Sequence, residues 1–171
     1  MSERHGLVSM QGNPLTLTGN PVGQGDQAPD FTVLDNALQP VTLKNYSGKV
    51  LILASVPSLD TSVCSEETKR FNAEADKLDP KVSVLTISMD LPFAQKRWVD
   101  QYQATNVTTL SDHKEASFGL AYGVLITELR LLARAVFVVG LDGRIGYTEL
   151  VSEVTNPPDY ESALQAARSL L

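Results

Sequence analysis

The sequence predicts an α/β sandwich, in which helices flank a central mixed sheet and a β-hairpin is added at the N-terminus. Apolar, β-branched runs such as VLILASV and VSVLTIS alternate with longer segments whose apolar residues recur at helical spacing. Two further strand-like runs lie on either side of a short turn near the start of the chain. The 171 residues suit one domain over 1–171, because a chain of this length buries about two thirds of its unfolded surface.

The N-terminal elements come first in chain order. Residues 6–10 and 14–18 are predicted to pair as the hairpin, with Gly12 and Asn13 at its turn. The Gly- and Pro-rich segment 19–29 has no periodicity and is predicted to be a loop. Its glycines do not form a dinucleotide fingerprint, because no apolar strand precedes them and no helix follows. A short strand and turn in PVTLKNYSG then lead to a central strand at 50–56.

The segment VCSEETKRFNAEADKL is predicted to be a helix that contains the only cysteine of the chain, Cys64. One helical face holds Cys64, Phe71, Ala75 and Leu78. This spacing places Cys64 in the first turn, on the inward side. The unpaired N–H groups and the dipole of a helix N-terminus stabilise a thiolate there.

Thr61 lies three residues before Cys64, so its hydroxyl is predicted to lie near the sulfur or to cap the helix. Spacing alone leaves an alternative open. A lone cysteine on an apolar helical face is often a small buried hydrophobe without reactivity, and Pro57 could serve only to end the strand.

The second half of the chain continues the alternation of predicted strands and helices. KVSVLTIS is predicted to be a buried parallel strand, and MDLPFAQKRWVDQY a helix with Asp90 as its N-cap and Pro92 in its first turn. VTTLSD reads as a short strand and HKEASFGLAYG as a helix that ends at Gly123. LRLLARAVFVVGLDGRIGYTELV is predicted to form two strands joined by a turn at Asp142 and Gly143. NPPDYESALQAARSLL forms the last helix.

Arg134 interrupts the apolar run of the first of those two late strands. An unpaired guanidinium buried there would be very costly. Arg134 therefore either reaches solvent at a sheet edge or binds an anion.

Composition excludes several classes of function. A net charge of -6 without a basic stripe argues against nucleic acid and anionic membranes as partners. One cysteine excludes an intrachain disulfide and a CxxC redox pair, and with only two histidines no metal or cofactor site is expected. No apolar run is long enough to span a membrane, and the first residues lack a secretory pattern. We therefore predict a cytoplasmic protein.

The segment PSLDTSVCSEETKRFN resembles the active-site segment of the peroxiredoxins, in particular the bacterial thiol peroxidase subfamily. MQGNPLTLTGNPVGQGDQAPDFTV, SMDLPFAQKRW and LLARAVFVVGLDGRIGYTELV resemble the same subfamily in order and spacing. The resemblance covers nearly the whole chain from about Val8 onward. It implies a thioredoxin-like fold, a homodimer and a peroxidase that uses no cofactor.

The resemblance also implies a reaction. The Cys64 thiolate would attack the terminal oxygen of a hydroperoxide, release the alcohol or water and become a sulfenic acid. Thr61 would hydrogen-bond the thiolate and the peroxide oxygen, Arg134 would stabilise the thiolate and orient the peroxide, and Pro57 would shield the pocket from water. Leu59 and nearby apolar residues would favour organic peroxides over hydrogen peroxide.

The sequence departs from the subfamily at one place. Thiol peroxidases usually have a resolving cysteine in the helix after DLPFAQ, and Val99 occupies that position here. The sulfenic acid would then need an external thiol, either a small molecule or a thioredoxin-type protein. Two alternatives are a peroxide sensor whose oxidised Cys64 pairs with a partner protein, and a non-catalytic binding module on the same scaffold.

Overall fold

A computed structural model describes residues 2–171. The strands are β1 (Glu3–Met10), β2 (Asn13–Thr18), β3 (Val33–Leu34), β4 (Pro40–Val41), β5 (Val50–Ser55), β6 (Val82–Ser88), β7 (Thr108–Ser111), β8 (Leu125–Ile126), β9 (Leu131–Leu132), β10 (Ala135–Val139) and β11 (Ile145–Leu150). The helices are α1 (Ser62–Ala75), α2 (Pro92–Tyr102), α3 (Ser117–Ala121) and α4 (Tyr160–Ser169), with a 3₁₀ turn at Leu43–Tyr46. Among these described helices, none combines the length and the apolar character needed to cross a bilayer.

A mixed seven-stranded sheet forms the centre, in the order β11-β10-β5-β6-β7-β3-β4. Strands β5, β6 and β7 are parallel, and the remaining pairs are antiparallel. All six residues of β5 are buried, as expected for a strand covered on both faces. The α/β sandwich with a central mixed sheet is confirmed.

Alternation along β5 separates two hydrophobic cores. Leu51 and Leu53 face the core that contains residues of β2, β8 and α3, whereas Val50, Ile52 and Ala54 face the core that contains residues of α1, α2 and α4. Cys64 belongs to the second core, beneath the helical layer.

The N-terminal hairpin is also confirmed, but its turn is at Gln11 and Gly12 rather than at Gly12 and Asn13. Asn13 pairs with Met10, and the two turn residues have φ values of 51° and 81°. A two-residue turn of this kind requires positive φ at both positions, which glycine adopts readily. The hairpin extends into a second sheet of order β1-β2-β8-β9.

Three local predictions were wrong. The helix expected over HKEASFGLAYG is only α3, because the Asp112 carboxylate accepts the N–H groups of Phe118 and Gly119 and so starts the helix at Ser117. The position before α2 is occupied by Leu91, and the Asp90 side chain points to other partners. The strand expected across Arg134 is interrupted, because β9 pairs in the smaller sheet and β10 in the larger one.

Candidate active site

Cys64 is the third residue of α1 and is completely buried, which confirms its predicted place in the first turn on the inward face. The parallel strand β5 ends at Ser55, and a short loop over 56–61 leads into the helix. The Thr68 hydroxyl donates to the Cys64 carbonyl oxygen at 2.9 Å. This side-chain hydrogen bond holds the turn that carries the cysteine, in addition to the backbone hydrogen bonds of the helix. The Cys64 Sγ accepts a hydrogen bond from Arg134 Nη2 at 3.1 Å.

Arg134 lies at the break between β9 and β10 and is only 2% exposed. Its Nε and Nη2 donate to the Val154 carbonyl oxygen at 3.0 and 2.8 Å. Its Nη1 donates to Glu67 Oε2, with which it forms an ion pair. Arg134 therefore does not reach solvent at a sheet edge. It is a buried cation that binds an anion, Glu67.

Glu67 is the functional candidate that the sequence reasoning missed. It lies one helical turn after Cys64 on the same inward face and is fully buried. Its second oxygen, Oε1, has no hydrogen-bond partner among residues 2–171. Two signals in the sequence could have identified it: its i+3 spacing from Cys64 and the need of a buried arginine for an anion.

Electrostatics at this cluster depend on one cation shared by two acids. Burial raises the pKa of Glu67 to about 7, and the opposing effect of Arg134 does not cancel it. Burial on its own lowers the pKa of Arg134, but Glu67 and Cys64 together raise it above its ordinary value, so the guanidinium stays charged. A single guanidinium can balance only one full negative charge, and Arg134 donates to both the Cys64 sulfur and the Glu67 carboxyl group.

Thr61 is at the N-cap position of α1, but its hydroxyl makes neither of the bonds predicted for it. The hydroxyl donates to the Ser58 carbonyl oxygen at 2.8 Å, and the exposed side chain does not cap an N–H group of the helix. Pro57 is buried in the same loop. Leu59 is 3% exposed, so it belongs to the core and presents little surface to a substrate in this conformation.

The helix that follows DLPFAQ packs against α1. Trp98 is 4% exposed and its indole Nε1 donates to Ser65 Oγ at 3.0 Å, next to the cysteine. It is therefore a core residue rather than part of an apolar surface, whereas Phe93 is 66% exposed. Val99, at the position of the expected resolving cysteine, is half-buried and cannot form a disulfide.

A cavity of about 400 Å³ lies against the outer side of the first turns of α1. It is lined by Ser62, Val63, Glu66, Arg70, Pro157 and Tyr160. The Arg70 guanidinium carbon lies 4.4 Å from the centre of the Tyr160 ring, so the arginine covers one side of that ring. Within residues 2–171, no group of three or more His, Cys, Asp or Glu side chains is placed to hold a metal ion.

Comparison with known proteins gives consistent matches. The Redoxin family matches residues 23–164. A thiol peroxidase of Halalkalibacterium halodurans is 56% identical over 164 residues, covering 96% of this chain and 98% of the relative. A thiol peroxidase of Bacillus subtilis is 53% identical over 164 residues with the same coverage. The crystal structure of a peroxiredoxin-like protein from Aquifex aeolicus has a TM-score of 0.90 and 40% identity, covering 96% of both chains.

Proposed function

The chain belongs to the Redoxin family and, within it, to the thiol peroxidases of the peroxiredoxin type, and from that premise we propose that Cys64 is its peroxidatic nucleophile. The protein is a thiol-dependent peroxidase with the thioredoxin-like fold of its solved relatives. We take the catalytic unit to be one domain over 1–171.

The observation that carries the proposal is the 3.1 Å contact between Arg134 Nη2 and Cys64 Sγ in a site without solvent exposure. A fixed, buried guanidinium stabilises the thiolate strongly, because little water screens the pair. The thiolate attacks the terminal oxygen of the hydroperoxide, an S–O bond forms and the O–O bond breaks. The terminal oxygen keeps its proton, so Cys64 becomes a sulfenic acid, and the leaving oxygen takes from solvent the equivalent of the proton that the thiol lost on ionising and departs as water or an alcohol.

Negative charge moves from sulfur to the leaving oxygen during this step, so donors placed in advance lower the barrier. We assign that role to Arg134 and to Thr61. The Thr61 hydroxyl is engaged with Ser58 in the structure, and rotation about its side chain on peroxide binding would free it for the substrate oxygen. Pro57, buried in the loop between β5 and α1, limits water around the sulfur.

The reductant is an external thiol, because the chain has no second cysteine. The thiol attacks the sulfenic sulfur, water leaves and a mixed disulfide forms. A second thiol then releases reduced Cys64 and carries away the disulfide. We propose a small thiol or a thioredoxin-type protein for this role, and a cytoplasmic location, where such thiols are kept reduced.

We also propose a preference for organic hydroperoxides and a homodimeric assembly. The cavity beside α1 supports the first proposal, since Val63, Pro157 and Tyr160 offer apolar surface within it. The exposed ring of Phe93 supports the second, since a large apolar side chain on the surface can be covered by a second copy. Sedimentation velocity of the reduced protein tests the assembly.

The test of the proposed reaction is a single turnover. The reduced protein, without thiol, should consume one equivalent of cumene hydroperoxide and then stop. Mass spectrometry should find one added oxygen on Cys64, and a sulfenic-acid reagent should trap it. Cys64→Ser should consume none, and added dithiothreitol should restore turnover in the wild type alone. Equal, slow peroxide loss in both proteins would exclude Cys64 as the nucleophile.

A further inference from the structure

The tip of the N-terminal hairpin contacts the segment 151–155, which follows β11 at the edge of the central sheet. The Ser9 N–H donates to the Ser152 carbonyl oxygen at 2.7 Å, and the Val154 N–H donates to the Ser9 carbonyl oxygen at 2.9 Å. Ser9 and Glu153 thus form a parallel bridge. Because the hairpin belongs to the smaller sheet, this bridge joins it to the edge of the larger one.

The Glu153 side chain adds a second link between the hairpin and this segment. Its Oε1 accepts the Gly12 N–H of the hairpin turn at 3.0 Å. Its Oε2 accepts the N–H and the hydroxyl of Thr155 at 3.1 and 3.0 Å. The N–H groups of Gly12 and Thr155 lower the pKa of Glu153, so the side chain is ionised at neutral pH. An ionised carboxylate binds these donors more strongly than a neutral group would.

Val154 connects the segment 151–155 to the arginine of the active site. It is 2% exposed, and its carbonyl oxygen accepts both Nε and Nη2 of Arg134. Two donors on one oxygen fix the plane of the guanidinium group. Nη2 is also the nitrogen that donates to Cys64 Sγ. A displacement of the Val154 oxygen would therefore move the donor that faces the sulfur.

We propose that Glu153 is a positioning residue for peroxide reduction, and that it acts by tying the N-terminal hairpin to the segment whose carbonyl oxygen orients Arg134. This inference rests on the proposed peroxidase function. The guanidinium must face the sulfur before charge moves to the leaving oxygen, because a donor that has to reorient lowers the barrier less. Glu67 fixes one side of the guanidinium and Val154 the other. The added hairpin thereby contributes to the geometry of the reaction.

The test compares Glu153→Ala with a matched control, Glu128→Ala. The Glu128 carboxylate also accepts an N–H group of the hairpin, that of Thr16 at 2.9 Å, but it lies between β8 and β9 rather than beside Val154. Stopped-flow oxidation by cumene hydroperoxide should be about five- to tenfold slower in Glu153→Ala, because small displacements of a catalytic group are costly. Glu128→Ala should keep the wild-type rate.

Ser9→Pro weakens the same link and leaves Glu153 in place. The Ser9 N–H donates to Ser152 rather than to β2, so proline removes a bond to the segment 151–155 and keeps the pairing within the hairpin. This variant should slow oxidation as Glu153→Ala does. Circular dichroism shows whether each variant folds, and if one of the two does not, the other decides.

A second comparison separates the positioning of Arg134 from a general effect of the hairpin on stability. Glu153→Ala is added to the double variant Arg134→Met with Glu67→Gln, which lacks both members of the buried ion pair. In that background it should change the oxidation rate by no more than about twofold, because residues that act through one another are not additive. A general weakening of the fold would slow both backgrounds by the same factor.

The inference is overturned if Glu153→Ala is oxidised as fast as Glu128→Ala, or if Glu153→Ala slows both backgrounds equally. Either result, with normal formation of the sulfenic acid in the wild type, would leave the proposed function intact. Absence of any sulfenic acid in the wild type would instead reject the proposed function itself.

Discussion

Cys64 and Glu67, one helical turn apart on the buried face of α1, accept hydrogen bonds from the same guanidinium group. A thiolate and a carboxylate at these positions compete for one positive charge. The charge that Arg134 gives to one of them is therefore not fully available to the other. This sharing links peroxide reactivity to the stability of the fold.

Removal of the shared cation should separate reactivity from stability. In Arg134→Met, oxidation by peroxide should slow by roughly 10²- to 10³-fold, as when a preorganised donor is lost. The variant should also lose about 3–5 kcal/mol of unfolding free energy, because Glu67 is left buried without its partner. The double variant with Glu67→Gln should regain much of the stability and none of the rate. Stopped-flow oxidation and urea unfolding measure the two effects.

Arg168→Met is the matched control for that experiment, since Arg168 lies at the surface and forms an exposed ion pair with Glu161. It should retain the wild-type rate and stability. If Arg134→Met oxidised as fast as this control, Arg134 would have no part in the reaction.

Glu67→Gln should make Cys64 react faster at neutral pH. In the wild type, the sulfur and the Glu67 carboxyl group share one guanidinium. Glutamine leaves the full guanidinium charge to the sulfur, which favours the negative charge of the attacking thiolate. The rate of alkylation by iodoacetamide at pH 7 is the measurement. Glu74→Gln, which removes a surface carboxylate from the same helix, should react at the wild-type rate, and a slower reaction of Glu67→Gln would contradict the shared charge.

Stability should fall as the pH rises towards neutrality. The folded pKa of Glu67 is about 7 and its ordinary value is 4.5, so between these values the folded protein holds a proton that the unfolded chain has released. This group lowers the unfolding free energy by roughly 3 kcal/mol between about pH 4.5 and pH 8. Burial also raises the pKa of Asp112, to about 6, so Asp112 adds a change of the same sign.

Urea unfolding at a series of pH values, followed by circular dichroism, measures this dependence. Glu67→Gln should retain only the smaller part that Asp112 contributes. Hydrogen bonds lower the pKa of three exposed carboxylates: Glu128, Glu153 and Asp159. These groups stabilise the folded protein above their ordinary pKa values, and that stabilisation is lost only as the pH falls into the acidic range. The same pH dependence in wild type and Glu67→Gln would show that Glu67 does not titrate in this range.

The hydroxyl of Thr61 should matter for oxidation although it faces Ser58 in the structure. Thr61→Val keeps the shape of the side chain and removes the donor, so oxidation by cumene hydroperoxide should slow by about tenfold or more. Thr61→Ser keeps the donor and should stay close to the wild type. Second-order rate constants from stopped-flow fluorescence compare the three proteins. A valine variant as fast as the serine variant would leave Thr61 with a structural role only.

Val63, in the cavity beside α1, should influence the choice of peroxide. In Val63→Thr the volume changes little, but a hydroxyl replaces apolar surface. The rate with cumene hydroperoxide should fall while the rate with hydrogen peroxide stays nearly constant. The ratio of the two rate constants is the measurement. Equal changes for both peroxides would place organic substrates outside this cavity.

Local patterns were enough to predict much of the fold. The apolar strands, the alternating helices and the hairpin follow from residue periodicity, which depends only on neighbours in the chain. Periodicity also placed Cys64 in the first turn of a helix, on its inward face. Where these predictions were wrong, specific hydrogen bonds decided the outcome: the Asp112 side chain starts α3 at Ser117, and strand pairing assigns β9 and β10 to different sheets.

The sequence by itself determined that one cysteine, placed at a helix start and without a second cysteine, must carry any thiol chemistry of this protein. The tertiary structure decided which groups surround that sulfur. Arg134 reaches it because the chain changes sheets there, and Glu67 and Asp90 find their partners across elements far apart in sequence. Such contacts depend on strand register and on packing of helices against the sheet, which local residue patterns do not specify.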